Sequence, residues 1–226
     1  MNYRLDWTPI WENRGLIAEG FTTTLGLSTA ALILALLLGV VIGTAGAARA
    51  RPLRTAAALY VETMRNVPLL IHMYFWYMAL AFLKLSAVAC ALLGLSIYSA
   101  AYVAEIVRAG IGAVPRGQAQ AALAIGFTRF QSLRYIIYPQ VGRIVAPSLA
   151  SVMSQLIKDS SLASVIAVGE LTYQAGAIEG QTFRTFEVYI TISLLYLLLV
   201  TLVSRVVMSL GGGAGAGAVP TGLSDA

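Results

Sequence analysis

The chain has 226 residues, 58% of them hydrophobic and 11% charged, with a formal net charge of +5 and a mean hydropathy of +0.79. Soluble domains carry about a quarter charged residues, because water meets their whole surface; this composition is satisfied against lipid and leaves room for several membrane helices but no large soluble domain. The arginines are spread over short segments without an aromatic-interleaved basic stripe, which excludes a nucleic-acid partner, and the single cysteine, Cys90, excludes an intramolecular disulfide and a zinc cluster.

Residues 1–20 read as an extracytoplasmic segment in which Tyr3, Trp7 and Trp11 anchor at the membrane interface. Phe21 to Ala48 then holds no charge over 28 residues. At about 1.5 Å per residue this exceeds a bilayer core of about 30 Å and predicts a first span. A signal peptide competes, with Ala45-Gly46-Ala47 as the cleavage site, but the apolar stretch is too long and Asp6, Glu12 and Glu19 precede it. Gly39 and Gly43 form a GxxxG pair that permits close helix approach. The second and third uncharged stretches, Asn66–Leu83 and Leu85–Ala104, are separated by Lys84 and predict a tight hairpin of two spans. A fourth span begins after Arg143, meets Lys158-Asp159 and continues to Gly169; a fifth covers Val188 to Ser204. The transmembrane domain is thus expected over 21–210, and the glycine-rich tail 211–226 has the composition of a disordered linker.

Five spans place the termini on opposite sides. Arg49, Arg51, Arg54, Arg65, Arg108, Arg116, Arg129, Arg134, Arg143 and Arg205 fall on one face; Arg4, Arg14, Lys84, Lys158 and Arg184 fall on the other, with most of the acids. The positive-inside bias makes the arginine-rich face cytoplasmic, with the N-terminus outside and the C-terminus inside.

Ionisable groups at bilayer depth cost roughly 2.5–3.5 kcal/mol on insertion scales, so each needs a reason. Lys158, Asp159 and Ser160 interrupt a span and are candidates for a translocation pathway, since polar elements survive at depth where protein or water surrounds them; the alternative is mutual neutralisation in packed protein. His72, among Met73, Tyr74, Phe75, Trp76 and Tyr77, is either a pathway residue or a packed, hydrogen-bonded histidine. Glu105 and Arg108 are three apart on one helix and are expected to form a structural ion pair. No phosphate-binding loop, serine elbow or metal-spaced histidine/cysteine set is present, so no catalytic residue, metal or cofactor is expected and the work must come from a partner.

The stretch Glu105–Gln140 is too polar to span. Pro115 suits a helix start and Gly126 a helix end. Between them Ala119, Ala122, Leu123 and Gly126 share one face. Thr128 and Gln131 have capping-box spacing, Phe130, Leu133 and Ile137 line a second short helix, and Pro139 is expected to stop it. Two short helices joined at a glycine elbow make either a rigid knob or an amphipathic hairpin resting on lipid headgroups.

Gln120-Ala121-Ala122, three residues, Gly126, nine residues, Ile136, then Tyr138-Pro139 resembles the EAA loop of permease subunits of ATP-binding-cassette importers, with glutamine for the glutamate and tyrosine for the leucine. Arg65-Asn66-Val67-Pro68-Leu69-Leu70, Tyr102–Glu105-Ile106 with Arg108-Ala109-Gly110, and Lys158-Asp159-Ser160-Ser161-Leu162 with Glu170-Leu171 are similar to segments of its polar amino acid branch. The run Tyr60–Pro68 resembles the glutamate/aspartate permeases.

The resemblance implies an all-α integral membrane protein of about five transmembrane helices, with a cytoplasmic helical coupling loop, like the type I importers. It implies a multi-pass subunit of the plasma (inner) membrane that serves ATP-driven import of polar amino acids, with acidic ones as the narrower assignment that the Tyr60–Pro68 run suggests. Two ATP-binding subunits, an extracytoplasmic solute-binding protein and a second permease copy or paralogue are the implied partners, besides membrane lipid. Gly117, Gln120, Ala121, Ala122, Gly126 and Pro139 are the implied coupling residues. A secondary transporter or channel for small polar solutes remains the alternative; a secondary transporter would show broken helices in both halves, and the sequence displays one interrupted span.

Overall fold

The computed structural model describes residues 3–211 and contains no strand among them. A short helix α1 (Thr8–Glu12) leads into α2 (Arg14–Gly46), α3 (Arg51–Asn66) and α4 (Leu69–Ala79). A 3₁₀ turn, Ala81–Leu83, and Lys84 in the left-handed region reverse the chain into α5 (Ala87–Ala113), capped by Ser86. The two short helices α6 (Arg116–Ala124) and α7 (Arg129–Ser132) follow, then α8 (Tyr138–Asp159), a 3₁₀ segment Ser160–Ile166, α9 (Leu171–Thr182) and α10 (Thr185–Gly211). The expected boundary at residue 20 falls inside α2, and the tail expected from Gly211 lies, beyond that residue, outside the described residues.

Among the described residues three helices are long and apolar enough to cross a membrane: α2, α5 and α10, the last over Thr185–Arg205. They hold the first, third and fifth expected spans. The second and fourth are built differently. Pro68 forces Val67 into extended backbone (φ −103, ψ 131), because the proline ring clashes with a helical predecessor, and α3 ends at Asn66. The second expected stretch, Asn66–Leu83, therefore holds α4 and the 3₁₀ turn, and α3 lies before it. The 11 residues of α4 cover about 16 Å, half a bilayer core. The fourth expected stretch, from after Arg143 to Gly169, holds most of α8 and the 3₁₀ segment, and α9 follows it. The α3–α4 junction, with Asn66 and Pro68 exposed, and the α8–α9 junction, with Ser160 and Glu170 buried, are the breaks in these two helical runs.

Depth along the bundle follows from the cross-helix bonds. Thr172 and Glu170, at the start of α9, both bond the Tyr196 hydroxyl, at 3.0 and 2.7 Å. Tyr196 lies 11 residues into α10 (196 − 185), about 16 Å from its start. Leu171 N donates to Thr24 Oγ1 of α2 at 3.1 Å. Ser154 of α8 bonds Ser204 of α10 at 2.7 Å. The end of α8 and the start of α9 thus meet midway along the long helices.

The core has three centres. The largest joins Leu27 and Ala31 of α2, Met73 of α4, Cys90 and Leu95 of α5, and Leu156, Ala163 and Ile166 around the second break. A second ties Ile17 to Ile178 of α9 and to Val188 and Ile192 of α10. The third packs Val114 beyond the end of α5 on Val141 and Val145 of α8. The GxxxG pair forms the α2–α5 seam: a Cβ on Gly39 would lie 2.5 Å from Val103 Cβ, and one on Gly43 would lie 2.5 Å from the Ala104 carbonyl oxygen.

The N-terminal segment folds back on α10. Tyr3 donates its hydroxyl to Glu187, Asp6 N donates to the same carboxylate at 2.8 Å, and Arg184 Nη1 donates to Arg4 O at 3.0 Å. Trp7 and Trp11 stay exposed.

Candidate functional site

The first part of the site is the knob between α5 and α8. Pro115 precedes α6, and α6 closes in a Schellman arrangement: Gly126 N bonds Leu123 O at 3.1 Å and Phe127 N bonds Ala122 O at 3.0 Å. Gly126 sits at φ +93, a conformation glycine reaches without steric cost. Thr128 and Gln131 then form the expected capping box, at 2.8 and 3.2 Å. Ala122 is buried, whereas Gly117, Gln120, Ala121, Gly126 and Pro139 are exposed. Around them Ile125 is 74% exposed, Phe130 69% and Tyr135 60%. An apolar tip of this kind marks an interaction surface, since single soluble faces rarely present large side chains together.

Pro139 does not stop the second helix. The residues Leu133–Ile137 form one π-turn, and the helical run continues from α7 through it into α8. The reason is geometric: proline lacks an N–H and its ring crowds the carbonyl four residues back, and a wide turn removes that conflict. Gln140 Nε2 donates to Ile136 O at 2.8 Å, and the Tyr138 and Thr44 hydroxyls bond at 2.5 Å, which ties the turn to the end of α2. Residues 129–159 therefore form one continuous helical run, about 46 Å long at helical rise, with a second proline, Pro147, inside α8.

The second part lies at the far end of that run. A cavity of about 620 Å³ opens between α5 and α8, walled by Tyr98, Tyr102, Ser148, Ser151, Gln155 and Asp159. Asp159 Oδ1 accepts from Gln155 Nε2 at 2.8 Å and is part-buried. Of the four pathway candidates it alone stands on this wall. Lys158 is exposed, and Ser160 is fully buried, its hydroxyl donating to Ile157 O at 2.7 Å to close the end of α8. His72 is buried behind Tyr98, with ring centroids 5.7 Å apart, and its Nε2 meets Met64 O at 3.3 Å. That carbonyl is in the last turn of α3, where it has no helical partner, so His72 staples the first break.

Two cavity residues sit on α5 at 98 and 102, and the others on α8 at 148, 151, 155 and 159. These are helical spacings of four, and of three, four and four. The sequence reading passed over this polar stripe because it noted only the charged pair at its end. Glu170 and Glu187, which the sequence assigns only to a side of the membrane, are both fully buried. Glu170 caps α9, accepting from Thr172 N at 2.9 Å, Tyr173 N at 2.7 Å and the Tyr196 hydroxyl. An anion at a buried helix start is matched by the free amides and the helix dipole there.

Glu105 and Arg108 pair as expected, through Nη2–Oε1 at 2.6 Å and Nε–Oε2 at 3.0 Å. Their side chains are 36% and 50% exposed, and both line a second cavity, of about 690 Å³, between α2, α3 and α5.

Residues 35–211 match the model of the binding-protein-dependent transport system inner membrane component. The chain belongs to this family. It is therefore a membrane transport component, and a secondary transporter or channel is set aside. It is 38% identical over 192 residues to the probable glutamine ABC transporter permease protein GlnM of Bacillus subtilis (strain 168), covering 84% of this chain and 89% of that one. It is 34% identical over 200 residues to the glutamate/aspartate import permease protein GltJ of Escherichia coli (strain K12), covering 82% and 81%. A crystal structure of an amino acid ABC transporter with histidines superposes with a TM-score of 0.83 at 32% identity, over 93% of this chain and 99% of that one. An inward-facing form of the MetNI methionine ABC transporter shares the fold, at TM-score 0.80 and 19% identity, over 89% and 97%. The expected type I importer fold is the observed one.

Proposed function

We propose that this protein is the permease subunit of an ATP-driven importer of polar amino acids, in the class of the glutamine and glutamate/aspartate carriers named among its relatives. The observation that carries the reading is the segment of residues 129–159, which joins an exposed knob to the wall of a polar cavity in one continuous helical run. A push on the knob is carried toward Asp159 along this run, which has its bending points at the π-turn before Pro139 and at Pro147 inside α8.

In this reading the chain crosses the inner membrane five times: α2, α3 with α4, α5, α8 with α9, and α10. The N-terminus is outside and the knob cytoplasmic. Two ATPase subunits take the knobs of a permease pair, formed with a second copy or a paralogue, and an extracytoplasmic binding protein delivers substrate at the outer face. ATP binding draws the ATPases together and the helical runs move. The packed bundle then switches between two arrangements around the cavity. The Asp159 carboxylate faces the ammonium of the passing amino acid.

Replacing Gly126 by leucine tests the reading. A side chain at φ +93 strains the elbow while nothing lies within 4 Å to clash with it, so the bundle itself is spared. The expected outcome is normal membrane insertion with loss of ATPase co-purification and a fall in uptake of about tenfold or more. Uptake that continues in a strain lacking every ATPase subunit overturns the proposal.

A further inference from the structure

The two cavities share one residue. Tyr102 lines the upper cavity with Asp159 and also the lower cavity with Arg54, Glu62, Arg65, Glu105 and Arg108. Its ring lies under the Arg65 guanidinium, 5.2 Å from centre to Cζ, and its hydroxyl bonds that of Tyr98 at 2.9 Å. Tyr98 in turn packs on His72. A stack of Arg65, Tyr102 and Tyr98 thus spans from α3 to α5 at the level where α3 breaks.

The charges on either side are opposite. Asp159 faces the upper cavity. On the lower side Glu105 is taken up by Arg108, whereas Arg65 makes no ion pair within 4 Å among the described residues. A guanidinium held only by an aromatic face is available to a carboxylate, which offers it two parallel charge-assisted hydrogen bonds and a stronger hold than the ring does.

We infer that Tyr102 is the septum between the two cavities, and that Arg65 is the residue that takes the α-carboxylate of the amino acid as it passes. The inference rests on the pathway reading given above. An amino acid in the upper cavity sets its ammonium toward Asp159. When its carboxylate draws Arg65 off the ring, Tyr102 loses its cover and the passage to the lower cavity opens. The lower cavity lies beside the ends of α2 and α5, on the knob side, so the same step directs release.

The test uses inverted membrane vesicles carrying the whole transporter, with Ser151→Cys in the upper cavity as probe. A membrane-impermeant maleimide is added on the knob side, and the wild-type chain, whose Cys90 is buried, sets the background. Tyr102→Ala is expected to raise the labelling rate of Ser151→Cys about tenfold, and Tyr102→Phe, which keeps the ring under Arg65, about twofold. L-glutamine or L-glutamate is expected to slow labelling in the parent more than the corresponding α-amide does, and Arg65→Gln to erase that preference. Labelling of Tyr102→Ala at the parent rate, with ATPase assembly intact, overturns the septum; a carboxylate preference that survives Arg65→Gln overturns the role of Arg65. If no amino acid slows labelling even in the parent, the pathway reading itself falls. If the parent is protected and Tyr102→Ala changes nothing, the septum alone falls.

Discussion

The α2–α5 seam and the two broken runs occupy the same bundle and follow opposite rules. Along the seam Gly39, Gly43, Ala100 and Ala104 bring two long helices into backbone contact, and a helix satisfies its interior backbone polar groups within itself. At the breaks the backbone leaves free carbonyls and amides, and side chains answer them: His72 at Met64 O, Glu170 at two amides of α9, Thr24 at a third. The seam is cheap in sequence and stiff. The breaks need specific polar partners and leave room beside them for a cavity. A transporter needs both, a fixed frame and a place where helices part.

Changes in the seam should cost stability, and changes at the cavity should cost transport. The largest effect is expected for Gly43→Leu, which drives a side chain into the Ala104 carbonyl and Val107, about 3 kcal/mol or more of overpacking. Thermal melting of the solubilised protein should drop sharply, and a stable Gly43→Leu protein would break the account of the seam. Next is Glu170→Ala, which strips a buried cap from two amides and a hydroxyl, at about 2 kcal/mol. Glu170→Gln keeps part of the cap and should fall between it and the wild type in the same melt.

Asp159→Asn should reverse the pattern, lowering uptake about tenfold while the melting temperature stays within a few degrees, because only Gln155 loses a charge-assisted bond. A large melting shift with normal uptake would move Asp159 from the pathway into the frame. The smallest effect is expected for Glu105→Gln. An ion pair exposed on both sides contributes about 1 kcal/mol or less, so its melt should be indistinguishable from wild type in moderate salt.

Much of this was legible beforehand. The long uncharged stretches gave α2, α5 and α10, the Thr128–Gln131 spacing gave the capping box, and Gly126 took the positive φ expected of a helix-ending glycine. Pro68 carried a readable stop that was overlooked, since a proline ends the helix before it whatever the hydropathy says. Pro139 pointed the wrong way, because the cost of a proline depends on whether the preceding turn can widen. The buried state of Glu170 and Glu187 was not legible: an acid beside an apolar run looks exterior until the elements that cover it are placed.

The sequence alone determined that the chain lies in a membrane, which segments are helical and apolar, and that a capped knob separates α5 from α8, because hydropathy, charge and capping are local quantities read over a few turns. Only the tertiary structure decided where the runs α3–α4 and α8–α9 break, that the polar stripes of α5 and α8 face one cavity, and that Tyr102 lines both this cavity and the one that holds the arginines. Those are facts about which faces meet, and they depend on how small residues let α2 and α5 close together and on which side chains answer the amides and carbonyls left free at each break.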